Sequence, residues 1–210
     1  MSVGRPRGRM PEKRVAIAQA ARAVFARDGY ARASVDAIAA EAGVSKRTIY
    51  NHYADKEQLF RSVILDSSQQ VVAAHTRTIQ RHLGEIADLP DALRAFGREW
   101  ATPMEEFSGH FALVRQIQAE VAHVPRGVLE AWQDTGPRAA RHLLAERLRE
   151  LADQEVLRID DAETAAEHLL QLVVGPVGQR TLNGALPIDD TEADQLIDSG
   201  VRAFLKIYGR

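Results

Sequence analysis

Residues 34–60, SVDAIAAEAGVSKRTIYNHYADKEQLF, constrain the fold more than any other stretch of this 210-residue chain. They read as two short helices joined by a tight turn. Ser34 is an oxygen-bearing cap, and Asp36 behind it suits the positive end of a helix dipole. Val35, Ile38, Ala39 and Ala42 recur at helical spacing, so this helix runs to about Ala42 with one face on a core, and Ala39 is small where two helices cross closely. Gly43 stands where the chain turns sharply, because glycine accepts positive φ without steric cost, and Val44 packs back under the turn.

Ser45 caps the second helix, Lys46, Arg47 and Thr48 fill its first turn, and Ile49 faces inward. Tyr50, Asn51, His52 and Tyr53 continue it with hydrogen-bonding groups on more than one face, more polar capacity than a structural helix of eight residues needs. Asp55, Lys56 and Glu57 open another helix. This is a helix-turn-helix pattern, in which the first turn of the second helix meets base edges and phosphates in a major groove.

Charge distribution points the same way. The whole chain carries only −2, but residues 1–60 hold eleven Lys and Arg against six Asp and Glu, a balance of +5, while the remainder stands at −7. The basic end is the end with the helix-turn-helix, the footprint expected of a module that binds phosphates. Residues 2–10, SVGRPRGRM, lack apolar periodicity and read as a flexible basic tail. Arg5, Arg7 and Arg9 are either a solvated tail or a reach into a minor groove and nearby phosphates.

Helical periodicity continues to the carboxy terminus, with no alternating strand pattern, so the fold class is all-α. The first helix is expected from about Pro11 to Asp28, with Val15, Ala18, Ala21, Val24 and Phe25 inward. A long fourth helix runs from about Lys56 to Leu83, and Asp88-Leu89-Pro90 starts a fifth that stops near Pro103. Further helices are expected at about Ser108 to His123, from Pro125 through Leu151 with a kink at Gly136-Pro137, at Glu163 to Asn183, and at Thr191 to Tyr208.

With no cysteine there is neither a disulfide framework nor a thiolate metal site. The longest apolar run, Leu169 to Val177, is broken by Gln171 and Gly175-Pro176, so no segment is expected to span a membrane, and the basic amino terminus leads into no apolar signal region. A cytoplasmic protein is expected.

The segment resembles the DNA-binding domain of the TetR family of bacterial transcriptional regulators. The residues that carry the resemblance are Phe25, Gly29-Tyr30, Ser34, Ile38-Ala39, Ala42-Gly43-Val44-Ser45, Thr48, Tyr50, Tyr53, Lys56, Glu57 and Leu59. Ser34 stands where the family more often has threonine, which keeps the hydroxyl cap, and Arg47 stands where it often has a small residue, which makes this groove surface unusually cationic. The expected organisation is a basic tail at 1–10, a helix-turn-helix domain at 11–56, and a helical effector-binding and dimerisation domain at 57–210.

The expected DNA-binding residues are Ser34, Ser45, Lys46, Arg47, Thr48, Tyr50, Asn51, His52 and Lys56. Thr48, Tyr50 and Lys56 are given phosphate-positioning roles, and Ser34 a cap within phosphate reach. Lys46, Arg47, Asn51 and His52 are the base-reading set, with Asn51 suited to adenine and Arg47 to guanine or, equally, to phosphate.

The helix from Ala162 is apolar nearly all round and lies beside an amphipathic terminal helix. That pairing suggests a two-fold interface built from Leu169, Leu170, Val173, Leu196, Ile197, Val201 and Phe204, against the alternative of an ordinary monomer core. The resemblance implies a homodimer through a four-helix bundle. It also implies a small-molecule cavity among the central helices, for which the lining candidates are Trp100, Met104, Phe107, Phe111, Arg115, Trp132, His142, His168 and Gln171, each also explicable by packing or a surface position. Such a lining suits a hydrophobic or aromatic effector. The function expected is a ligand-responsive repressor on double-stranded DNA; a constitutive regulator without effector is the alternative.

No cofactor, metal or catalytic residue is expected. Glu120-Val121-Ala122-His123 has the Glu-x-x-His spacing of a two-metal helical bundle, but no second copy exists, and the chain holds no phosphate loop, GxSxG or HExxH.

Overall fold

The computed structural model describes residues 9–102 and 105–210, and every regular element among them is helical. The chain forms two compact units. The first runs to Ser67 and takes in Gly109–Trp132, so it is larger than the 11–56 segment expected for the DNA-binding domain; the second holds the rest of the described chain.

In the first unit, α1 (Arg9–Arg32) buries Ile17, Ala20, Ala21, Val24 and Phe25, a stripe of period 3.6. Val15 was expected on that stripe and is exposed instead, because two residues, about 200° of helix, separate it from Ile17. The helix is interrupted at Gly29 (φ 78, ψ 171) and resumes to Arg32.

The helix α2 (Val35–Glu41) starts at Ser34, whose Oγ accepts the Ala37 amide at 3.1 Å, and turns at Gly43 (φ 62). The next helix, α3 (Lys46–Tyr50), is five residues long and ends at Asn51, shorter than its polar sequence predicts. What stops it is the start of α4 (Lys56–Leu83): Asp55 accepts the Gln58 amide at 2.8 Å while the Gln58 side chain accepts the Ala54 amide at 2.6 Å, a reciprocal cap incompatible with a helix continuing through Ala54. Tyr53 turns inward and is 5 % exposed. Beneath these helices Phe60 meets Phe25 edge-on at 4.8 Å and Tyr30 at 4.9 Å.

After α5 (Leu89–Ala101), capped by Asp88, come a short 3-10 turn (Glu105–Phe107) and α6 (Ser108–Ala119). The stretch expected to kink at Gly136-Pro137 is two helices, α7 (Arg126–Thr135) and α8 (Pro137–Asp153).

The continuous helix expected from Glu163 to Asn183 is three pieces: α9 (Ala162–Leu169), a π turn (Leu170–Val174) and α10 (Gly175–Arg180). Pro176 has no amide hydrogen to give the Leu172 carbonyl four residues back, and the ladder widens at that place. The freed carbonyl lies against Gly200 of α11 (Asp190–Tyr208), where an added Cβ would stand 2.0 Å from Leu172 O.

The all-round apolar character of α9 is consumed inside the chain, since α9 packs on both α8 and α11. Leu169, Val173, Ile197, Val201 and Phe204, expected to face a second copy, are at most 2 % exposed within their own unit; Leu170 and Leu196 are half-buried. The five are core residues, because a helix with an apolar stripe on two sides finds both partners in this unit.

Gly200→Ala is expected to cost about 1–3 kcal/mol by overpacking against the Leu172 carbonyl. Urea unfolding of both proteins measures it, and an unchanged midpoint would mean that α11 moves away at no cost.

Candidate nucleic-acid interface

The side chains of the helix-turn-helix fall into two groups. One group is committed to holding the motif. Ser45 Oγ accepts the Thr48 amide at 3.2 Å and lies 2.8 Å from Thr48 Oγ1, so both hydroxyls serve the start of α3. Ile49 is buried in the core. Lys56 directs its ammonium at the carbonyls of Tyr30 (2.9 Å), Ala31 (3.3 Å) and Ala33 (3.2 Å) and sits 4.6 Å from the centre of the Tyr30 ring. An ammonium has three hydrogens, and three acceptors use them all.

The other group faces outward. Arg47, Tyr50 and Asn51 are exposed, and their side chains make no hydrogen bond or ion pair among the described residues. His52 is half-buried with its ring tilted 55° to Tyr53. Lys46 lies beside them but is paired: its Nζ is 2.9 Å from Asp36 Oδ2 of α2, which holds the lysine above its ordinary pKa through that hydrogen bond and the carboxylate charge. Asp36 was read from sequence as a dipole partner of α2; its second role, across the turn, needed the fold to bring positions 36 and 46 together. Thus the structure gathers Lys46, Arg47, Tyr50, Asn51 and His52 on and just beyond one helix, with Thr48 between face and core. Arg5 and Arg7 of the basic tail, and the side chain of Arg9, lie outside the described residues.

The end of α1 that leads into the motif is held by polar contacts as well. Glu120, one residue past α6, turns its carboxylate onto the interrupted end of α1, where Oε2 accepts the Ala31 amide at 3.0 Å and Oε1 lies 3.9 Å from the Arg32 guanidinium. Glu120 therefore serves a chain junction while the His123 side chain is exposed, and among the described residues no group of three or more metal-ligating side chains comes together.

His110 of α6 is buried beside Ser67. The Ser67 hydroxyl donates to Ile64 O at 3.0 Å, so the ring Nδ1–H donates to Ser67 Oγ at 2.9 Å. Burial, with a smaller contribution from the Arg22 charge, pushes the imidazole down to about 4.

The effector candidates are divided between the units. Phe111, Arg115 and Trp132 belong to the first, where Trp132 is a core residue; Trp100, Phe107, His142, His168 and Gln171 belong to the second, and Met104 lies outside the described residues. Trp100 stacks on His75 at 3.8 Å with 14° between the rings. His142, His168 and Gln171 do not line an interior. They are exposed, with His142 Nδ1 2.6 Å from Glu163 Oε1, His168 Nδ1 2.7 Å from the Tyr208 hydroxyl, and Gln171 bonded to Glu167. For His168 helical phase explains this: the inward face of α9 is already filled by Ala165, Ala166 and Leu169.

Two family models match this sequence. The model of bacterial regulatory proteins of the tetR family matches residues 17–63, and that of the AefR-like transcriptional repressor C-terminal domain matches residues 91–210, more than half of the chain. The chain belongs to the TetR family.

Among solved structures it resembles a putative TetR-family transcriptional regulator from Mesorhizobium loti MAFF303099, with 28% identity, a TM-score of 0.82, and coverage of 96% of this chain and 99% of that one. It also resembles the flavonoid-responsive regulator FrrA, at 31% identity and a TM-score of 0.70 over 95% and 98% of the two chains. The HTH-type transcriptional regulator UidR of Escherichia coli K12 is 33% identical over 67 residues, 32% of this chain and 34% of its own. The HTH-type transcriptional repressor SCO4008 of Streptomyces coelicolor is 52% identical over 48 residues, 23% of this chain and 25% of its own. The chain thus matches about a third of one and a quarter of the other of these two relatives, in the region that holds the helix-turn-helix. Proteins of the family are DNA-binding transcriptional regulators. In this member, no helix among the described residues is long and apolar enough to cross a membrane.

The buried imidazole gives this TetR-family regulator a pH-dependent stability. Above an unfolded pKa of about 6.5 both states are neutral and the stability is complete; as pH falls towards 4 the unfolded chain takes up a proton that the folded chain refuses. About 3 kcal/mol is lost across that window by this group. Urea unfolding at pH 7 and pH 4.5 checks it: His110→Asn, which keeps a donor for Ser67 and does not titrate, is expected to narrow the difference between the two pH values, and an identical difference would refute the assignment.

Proposed function

We propose that this protein is a homodimeric repressor that holds a near-palindromic operator through its two α3 helices and releases it on binding a hydrophobic or aromatic small molecule. The observation that carries the reading is the division of labour on α3. Ser45, Ile49 and Lys56 are committed to the fold, while Arg47, Tyr50 and Asn51 stand exposed with their hydrogen-bonding capacity unspent. One such helix reads few bases, which is the argument for two copies and for half-sites about one helical turn, ~34 Å, or a multiple of it apart.

In this reading Arg47 takes a guanine edge and Asn51 an adenine, the pairings that groove geometry favours. Lys46 reaches the duplex by leaving Asp36, and His52 reads at the edge of the same face. Thr48 and Tyr50 position the backbone, with Ser34 near phosphate at the start of α2. The three carbonyl bonds of Lys56 give it the task of holding the motif. The dimer forms on the outer faces of α11 and of the π turn that follows α9, where Leu196 and Leu170 retain exposed surface.

An aromatic effector is supported by two things. The second unit carries an aromatic cluster in which half-buried Trp100 stacks on buried His75 and meets buried Phe96 at 5.1 Å. FrrA, similar over nearly the whole chain, is described as flavonoid-responsive. Ligand and operator then weaken each other by one common factor, as linkage requires.

Selection of random duplexes on the purified protein, followed by titration of the winner and a scrambled duplex, tests the reading. A two-fold-related site preferred by at least about 4 kcal/mol is expected, and a flavonoid panel should release it. Arg47→Ala is expected to cost about 1–3 kcal/mol and to relax one position in each half-site. Equal affinity for both duplexes would end the operator reading, and release only by polar sugars or metal ions would end the effector class.

A further inference from the structure

We propose that Glu120 is a positioning residue for operator recognition: from the end of α6 it fixes the junction between α1 and α2 and so sets where the helix-turn-helix sits. The inference rests on the operator reading given above. Its starting point is a local conflict. Glu120 follows the last turn of α6, where the helix carbonyls present their negative end and a carboxylate is disfavoured. It is nevertheless only 13 % exposed, and the compensation comes from 89 residues away, in the 3.0 Å bond from the Ala31 amide and the nearby Arg32 guanidinium.

The fit is tight on the α1 side. Gly29 holds φ +78, where a side chain is strained, and a Cβ there would meet Glu120 Oε1 at 2.4 Å and Oε2 at 2.6 Å. The carboxylate thus fills the space that the missing side chain leaves open. From another direction the Lys56 ammonium takes the carbonyls of Tyr30, Ala31 and Ala33. A five-residue junction, 29–33, therefore has its amide held by an anion and its carbonyls held by a cation, and the Ala31 residue is bonded to both. Charged partners on a shared backbone segment reinforce each other.

What the junction controls is the start of α2. Ser34, three residues after Ala31, caps that helix, and the Val44 amide returns to Ala39 O to tie α2 to the turn before α3. A displaced junction carries both helices with it. The apolar core beneath, with Phe25, Ile38, Ile49 and Phe60, does not include Glu120, so the fold survives its loss while the register of α3 on DNA does not. Lysine–phosphate attraction tolerates a small misplacement; bidentate base contacts do not.

The experiment uses the full chain, titrated against the selected operator and a scrambled duplex, well below the melting temperature. Glu120→Ala is expected to lose at least tenfold in operator affinity while its affinity for the scrambled duplex stays within twofold and its circular dichroism is unchanged. Glu120→Gln, which keeps an acceptor for the Ala31 amide, should stay within threefold of wild type. Gly29→Ala should reproduce the loss, and adding it to Glu120→Ala should cost less than the two losses multiplied, because the clash partner has gone. Operator affinity unaffected in Glu120→Ala, or equal losses on both duplexes, would overturn the inference alone. A wild-type protein with no preference between the duplexes would overturn the operator reading and this inference with it.

Discussion

A helix of five residues does not hold its shape in water, since its nucleation cost is never recovered by so few hydrogen bonds. The recognition helix α3 is that short, and the first unit is organised around the constraint. Its start is capped by Ser45 and Thr48, its one inward residue, Ile49, is in the core, and its end is met at once by the reciprocal cap that opens α4. Because fold support comes from so few of its residues, the rest of its surface is available for DNA. A longer helix would be more stable alone; this one exchanges local stability for dependence on its neighbours.

Much of this was legible in the sequence where the physics is local. Ser34, Ser45 and Asp88 announce their caps within three residues, Gly43 has the positive φ that its place in the turn requires, and the exposed group Arg47, Tyr50 and Asn51 follows from the period of Ile49. What could not be read was long-range. Nothing near position 120 says that its carboxylate belongs to Ala31, and the sequence offered Glu120 only as half of a metal pair. The ammonium of Lys56 was assigned to phosphate for the same reason, because three backbone carbonyls leave no mark in the side-chain pattern. The phase error at Val15 is smaller: an alanine-rich helix defines its stripe weakly, and Ile17 decides it.

The second unit carries a lesson about apolar helices. A chain segment that is hydrophobic on every side needs cover on every side, and a partner molecule is one way to supply it. Here α8 and α11 supply most of it within the chain, so the residues that stood out by hydropathy became core. Surface left for a second copy has to be sought among half-buried and polar positions on the outer faces of α9 and α11, which is a weaker signal in sequence. The π turn sharpens the point. Its carbonyl at Leu172 lies where only a glycine at 200 leaves room, so two features that look like flaws in separate helices, a proline and a glycine, meet at one close approach.

The two units share three covalent crossings, one inside α4 after Ser67 and two at the ends of Gly109–Trp132. The segment between the second and third crossings carries most of α6, and Glu120 at its end accepts the Ala31 amide in the Gly29–Ala33 junction. A tenfold change in operator affinity requires about 1.4 kcal/mol of preference between two arrangements. A hydrogen bond to a charged group is worth about 1.5–3 kcal/mol. With Glu120 in the positioning role proposed above, partial loss of the Glu120–Ala31 bond carries enough free energy to register at the DNA. Lys56 at the start of α4 and Glu120 at the end of α6 hold the same five residues, so two separate helices converge on the one junction.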